Sequence, residues 1–302
     1  MQGLLRAEWR KMMGNRWMAG CFIWLWPCAA LGISLLVLLI VALDSGTRQN
    51  LSENPYRWTD ASLFFWAIPN SIIGRILIIG FTAALFAGEY QWGTWKNLLQ
   101  RRGRVALILA KFGALGGFIV FAFSLTSLIW VLGMGLVQLV AGGGYPPALT
   151  QIPSDYWRDL AMQVSVAFLS TLIIAAIAAL IALATRSVLA SVIGGLFAAF
   201  IDSFVGAALI LFYALTEWRI APNLYRYTIS YNVDNLLNWA NAGQASPVLG
   251  NLPQQEYPLL GTLYLNPPLL GNHYAVSYLI LGIWAALLVG AALYSFYRQD
   301  IT

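Results

Sequence analysis

The chain has 302 residues, of which 60% are hydrophobic and 10% charged, against about 45–50% and about 25% in soluble domains. So few charges cannot solvate the surface of a globule of this size, which excludes a soluble protein and places the chain in lipid. The net charge of +5 is not gathered on one face or tail, which excludes nucleic acid as a partner.

Taken in chain order, residues 1–17 read as an amphipathic helix. On a helical wheel Met1, Leu4, Leu5, Trp9, Met12 and Met13 cover one side, and Arg6, Arg10 and Lys11 lie opposite. Glu8 is the one misfit on the apolar edge. Basic residues opposite Trp, Leu and Met predict a helix lying in the membrane interface, with lipid as its partner; the alternative is a disordered basic leader. Six apolar runs long enough to cross follow, near 18–43, 63–88, 105–140, 160–184, 188–215 and 274–297. The fold class expected is an all-α polytopic membrane protein with six transmembrane helices. The third run is too long for one crossing, so its first turns, to about Lys111, are expected at the interface or in the cytoplasm. Cys21 and Cys28 are two turns apart on the first run, about 10 Å, beyond the disulfide reach of about 7 Å, and read as reduced packing residues. The first run itself reads as an uncleaved anchor.

Basic residues set the orientation. With the N-terminus inside, eleven fall in cytoplasmic segments (Arg6, Arg10, Lys11, Arg16, Lys96, Arg101, Arg102, Arg104, Lys111, Arg186, Arg298). Five fall outside (Arg48, Arg57, Arg158, Arg219, Arg226), and Arg75 lies within a run. The positive-inside rule then predicts a multi-pass protein of the cell membrane with both termini cytoplasmic. The outer segment 216–273 is far longer than a turn. It is rich in Trp218, Tyr225, Tyr227, Tyr231, Trp239, Tyr257 and Tyr264, with a helical patch near 233–240, and is expected to pack on itself and cap a vestibule.

Residues 88–111, at the cytoplasmic end of the second run, read GEYQWGTWKNLLQRRGRVALILAK. Gly93 can break a helix and Thr94 can cap the next one. Trp95, Leu98 and Leu99 form an apolar patch with Lys96, Arg101, Arg102 and Arg104 around it. Such a short helix can grip lipid headgroups or insert into a groove on a soluble partner. The segment resembles the signature of type-2 ABC exporter permeases, with Gly88, Glu89, Gly93, Thr94, Leu98, Leu99, Arg104 and Lys111 at matching positions. The bacitracin- and lantibiotic-resistance type is the most similar subgroup. The turn departs from the pattern, reading Arg101-Arg102-Gly103 where Pro and Ser usually precede the Arg.

The resemblance implies a single transmembrane permease domain over 1–302, with an interfacial helix at 1–17, a coupling helix within 89–104 and an enlarged extracytoplasmic loop at 216–273. It implies that Glu89, Gly93, Thr94, Trp95, Leu98, Leu99 and Arg104 couple to an ABC ATP-binding subunit. A second permease chain, identical or a sister, completes a dimer. No cofactor is expected on this chain, and ATP and Mg belong to the partner subunit. The residues agree, since Lys11, Lys96 and Lys111 follow Arg, Trp and Ala and none stands in a Gly-Lys-Ser/Thr phosphate loop.

Arg75 and Asp202 are the ionisable residues well inside apolar runs, where each costs a few kcal/mol or more without a partner. Both lie about 20 Å from the cytoplasmic ends of their runs. They belong to the second and fifth spans, which in the resembling family line the central pathway. They are expected to pair and gate that pathway, to pair only structurally, or to be placed separately, with Asn70, beside the break at Pro69, adding a polar group. No catalytic constellation is expected: His273 is the one histidine and no Gly-x-Ser-x-Gly elbow occurs. The expected function is the permease subunit of an ATP-driven exporter for an amphipathic, lipid-like or peptide substrate. The alternative is a non-transporting membrane anchor or assembly subunit of a larger membrane complex.

Overall fold

The computed structural model describes residues 2–91, 93, 95, 103–216, 218, 220–248 and 271–299. Among these residues the structure is all helical with no strand, and six helices are long and apolar enough to cross a membrane. Contacts divide the chain into two compact units, one of residues 1–81 and 101–168, the other of 82–100 and 169–302.

In the first unit α1 (Gln2–Gly14) leads through Asn15, whose side chain accepts from the Met18 amide, to one turn at Arg16–Met18. A π-helical stretch, Ala19–Trp24, then runs into α2 (Leu25–Leu43). Cys21 and Cys28 are both free and exposed, so neither belongs to the buried packing of the described chain. Asp44 ends the span and caps α3 (Ser45–Glu53), accepting from the Gly46 and Thr47 amides and the Thr47 hydroxyl. Those bonds, the hydroxyl's first, hold the exposed Asp44 carboxyl below its ordinary range. The second run is broken: α4 (Trp58–Phe64) passes into a 3-10 turn, Phe65–Asn70, and α5 (Ile72–Gln91) starts afresh after Ser71. Pro69 lies in that turn, and a Cβ at Gly74 would stand 2.1 Å from the Ile68 carbonyl oxygen, so the chain closes this break only with glycine there.

Along the unit runs α6 (Arg104–Ala141), 38 residues, about 57 Å long against a hydrocarbon core of about 30 Å. Gly142 stops it in the left-handed region at φ 79°. Its far half packs on α2 and α4 through Ala30, Val41, Ala61, Phe65, Trp130, Met134 and Val137. Ser34 sits where a Cβ on Gly133 would be, 2.3 Å from its hydroxyl oxygen, the close approach that small residues permit between spans. Buried Ser62 ties three elements, accepting at its carbonyl from Ser127 (2.6 Å) and sharing a hydroxyl bond with Tyr156 (2.8 Å).

In the second unit the latter part of α7 (Tyr156–Thr185) turns at Arg186, φ 56°, into α8 (Val188–Thr216). Ser191 donates to the Ala178 carbonyl across that hairpin. The long segment that follows does more than cover span ends. Short α9 (Ile220–Tyr225) lays its Tyr225 ring against Gly206, where a Cβ would come within 3.0 Å. The chain then starts α10 (Ile229–Ala242) beside Asp202, and α11 (Tyr274–Tyr297) closes the unit. Asp202 lies fourteen residues along the 29-residue α8, near its middle. The described part of the segment therefore descends along α8 and climbs again. The helical patch expected near 233–240 is α10, longer at both ends; Tyr257 and Tyr264 lie outside the described residues.

Candidate functional site

α5 ends at Gln91, and Gly93 adopts φ 63° with its amide bonded to the Tyr90 carbonyl, the left-handed stop that glycine enters without a steric cost. Two residues on, Trp95 is turned inward. It is 1% exposed, with its ring 4.5 Å from Phe296 of α11 and 5.7 Å from Tyr90. Tyr90 in turn donates to the Gln299 side-chain oxygen (2.5 Å), and the Gln299 amide donates to the Leu183 carbonyl (2.5 Å). The Arg186 guanidinium lies 5.6 Å from the Tyr90 ring centre. The ends of α5, α7 and α11 are thus fastened together where the 88–111 segment departs. Glu89 is buried beside them, at 1% exposure. Thr94, Leu98 and Leu99, with Lys96, Arg101 and Arg102, lie outside the described residues. Arg104 is the first residue of α6, half-buried after an extended Gly103.

A second cluster explains the misfit of α1. Glu8 is buried and its carboxylate takes the Lys111 ammonium at 3.3 Å, with Lys111 fully buried. Around that pair α1 lies along α6: Leu5 is 3.0 Å from a Cβ at Gly113, Trp9 3.5 Å from one at Gly117, and Trp9 stacks on Phe118 at 3.9 Å. Glycines four apart give the groove that α1 occupies. Neither Glu8 nor the Tyr90–Gln299 bond was identified as a site from sequence. Glu8 had a signal, a carboxylate on an apolar edge; Tyr90 and Gln299, 209 residues apart, had none.

Of the intramembrane residues, Asn70 and Arg75 flank the break before α5, and both amide atoms of Asn70 are buried without a hydrogen-bond partner among the described residues. Arg75 belongs to the first unit and Asp202 to the second. Asp202 accepts the Ser230 amide at 3.3 Å, and its carbonyl accepts the Ser230 hydroxyl at 3.1 Å. A carboxylate at the N-terminus of α10 meets the positive end of that helix. Farther along, Asn235 donates to Ser277 and to the Asn272 carbonyl, and Arg226 donates to the Asn272 side chain. His273 caps α11 by accepting the Ala275 amide.

Six apolar helices, a second span broken in its course and three helix ends tied beside a short connecting segment define a multi-pass membrane protein. Residues 4–206 match the family described as "ABC-2 family transporter protein", and the chain belongs to that family. It is accordingly the membrane permease subunit of an ABC-2 transporter, working with an ATP-binding subunit. No individual curated protein matches the chain. The matched stretch holds Glu8, Asn70, Arg75, Glu89, Gly93, Trp95, Arg104, Lys111 and Asp202. The returning helices α9 and α10 lie beyond it.

Proposed function

We propose that this subunit is an exporter permease of the bacitracin- and lantibiotic-resistance type, moving an amphipathic, lipid-like or peptide substrate outward. Two such chains, identical or sisters, pair and recruit two ATP-binding subunits, which carry ATP and Mg. Both termini are cytoplasmic. The segment 93–104 receives the motion of nucleotide closure, with Glu89, Gly93, Thr94, Trp95, Leu98, Leu99 and Arg104 as its working residues. The observation that carries this reading is the fastening of Trp95, Tyr90, Phe296 and Gln299. A force on a segment rooted there reaches three spans at once. Arg75 and Asp202 balance each other's charge along the pathway and shape it, which the expense of each in hydrocarbon supports.

The test is a pull-down in mild detergent followed by an ATPase assay. The expected result is a co-purifying ATP-binding protein whose turnover falls at least tenfold with Leu98→Asp/Leu99→Asp while the subunits stay associated with nucleotide absent. A partner that holds no nucleotide would turn the reading toward a membrane anchor. Replacing Arg75 and Asp202 together by Leu is expected to abolish transport with assembly intact; undiminished transport removes their role in the pathway.

A further inference from the structure

The first unit contains a narrow, partly open apolar cleft between the π-helical entry to α2, the first half of α5 and α6. Ile23, Trp26, Leu77, Phe81, Phe118 and Phe123 are among its walls, and no charged residue lines it. Along α5 it reaches from Phe81 to Gly74, about 10 Å, so it runs with the spans. Walls of this kind accept an apolar chain.

One wall residue, Phe118, stacks on Trp9 of α1 at 3.9 Å. Round α1 from Trp9 come Met13, Arg6 and Arg10, all exposed. Arg16 is also exposed, in the turn that leads to Ile23 of the cleft wall. Glu8 is the one carboxylate among the first 43 residues, and it is buried against Lys111. The exposed charge beside the cleft is therefore cationic throughout, an arrangement complementary to a phosphate headgroup.

We propose that α1 and this cleft together bind one anionic glycerophospholipid of the leaflet on which α1 lies, with its phosphate on Arg6, Arg10 and Arg16 and an acyl chain in the cleft. The buried Glu8–Lys111 pair serves the site by removing the carboxylate that would repel the headgroup. The site stands on this chain alone and does not depend on the substrate or direction of transport.

The experiment is native mass spectrometry of the full chain in detergent with equal amounts of phosphatidylglycerol and phosphatidylcholine of the same acyl composition. One phosphatidylglycerol per chain is expected to survive activation that strips phosphatidylcholine. Arg6→Gln/Arg10→Gln/Arg16→Gln is expected to weaken that binding about a hundredfold, as each basic side chain near an anionic surface is worth about fivefold. Ala122→Trp, which fills the cleft, is expected to weaken it comparably. If that variant does not elute as a single species, Leu77→Phe takes its place. Short-chain dihexanoyl phosphatidylglycerol and inorganic phosphate are expected to bind far more weakly. Equal retention of the two lipids, binding untouched by the triple change or by filling the cleft, or inorganic phosphate competing at the lipid's own concentration would each overturn the proposal.

Discussion

Glu8 would face an apolar surface at full charge were Lys111 not 3.3 Å away. Taking both charges out of water costs several kcal/mol each, and their attraction offsets that only while both are present. Glu8→Gln is thus expected to destabilise the first unit by up to about 3–5 kcal/mol, because it removes the carboxylate that faces the buried Lys111 ammonium. The exchange Glu8→Lys/Lys111→Glu is expected to regain much of the loss in denaturant unfolding of the detergent-purified chain. Sequence alone shows half of this: the misplaced carboxylate is visible on a wheel, but its partner is 103 residues on. Asp202 teaches the same lesson. Its expense in a span is legible, whereas the Ser230 amide that receives it comes from a segment that read as lying outside the membrane. Arg186, Tyr90 and Gln299 carry no local pattern at all; only the meeting of three helix ends gives them a role.

Long apolar runs announce themselves, since about twenty consecutive apolar residues have few alternatives to a span. The last run, 274–297, matches α11 end to end, and the fifth and fourth match α8 and α7 within a few residues. Short polar helices do not announce themselves so well. The nine residues of α3 and six of α9 are too short for periodicity to decide, although Asp44 before α3 is a capping residue in the usual position. The descent of α9 and α10 along α8 rests on a close approach at Gly206, a glycine that reads as one of many in a span. Gly206→Leu is expected to push the Tyr225 ring off α8 at a cost of about 1–3 kcal/mol. Amide exchange over 220–242 would then rise while α11 stays protected; unchanged exchange would mean the ring does not hold the returning helices. The asparagine network offers a second point of attack. Asn272→Ala takes the donor from the buried Asn232 side-chain oxygen, at about 1–3 kcal/mol in denaturant unfolding, and removes the acceptor of the half-buried Arg226.

At the scale of the molecule, composition alone is decisive for the membrane, and the excess of basic residues on alternate segments predicts which side each faces. That orientation is testable directly. With Cys21 and Cys28 replaced by Ala, single cysteines at Gly3 and at Asp155 should react oppositely with an impermeant maleimide on intact cells, only the second being labelled. Labelling of the first alone reverses the orientation, and labelling of both rules out an odd number of crossings between the two sites. The broken second span and the small residues between α2 and α6 were less legible, because they depend on which helix lies beside which. The longest helix carries a mechanical consequence. α6 contains no proline in its 38 residues. Near its start it is gripped by α1 through Lys111, and near its end Val137 and Ala141 pack in one cluster with Leu51 and Tyr56. A helix without proline, held at both ends, has no proline kink in which to absorb a load. A thrust delivered to α1 on one side of the bilayer would arrive on the other as tilt of α3 and its flanking turn, with no relay of side chains needed in between.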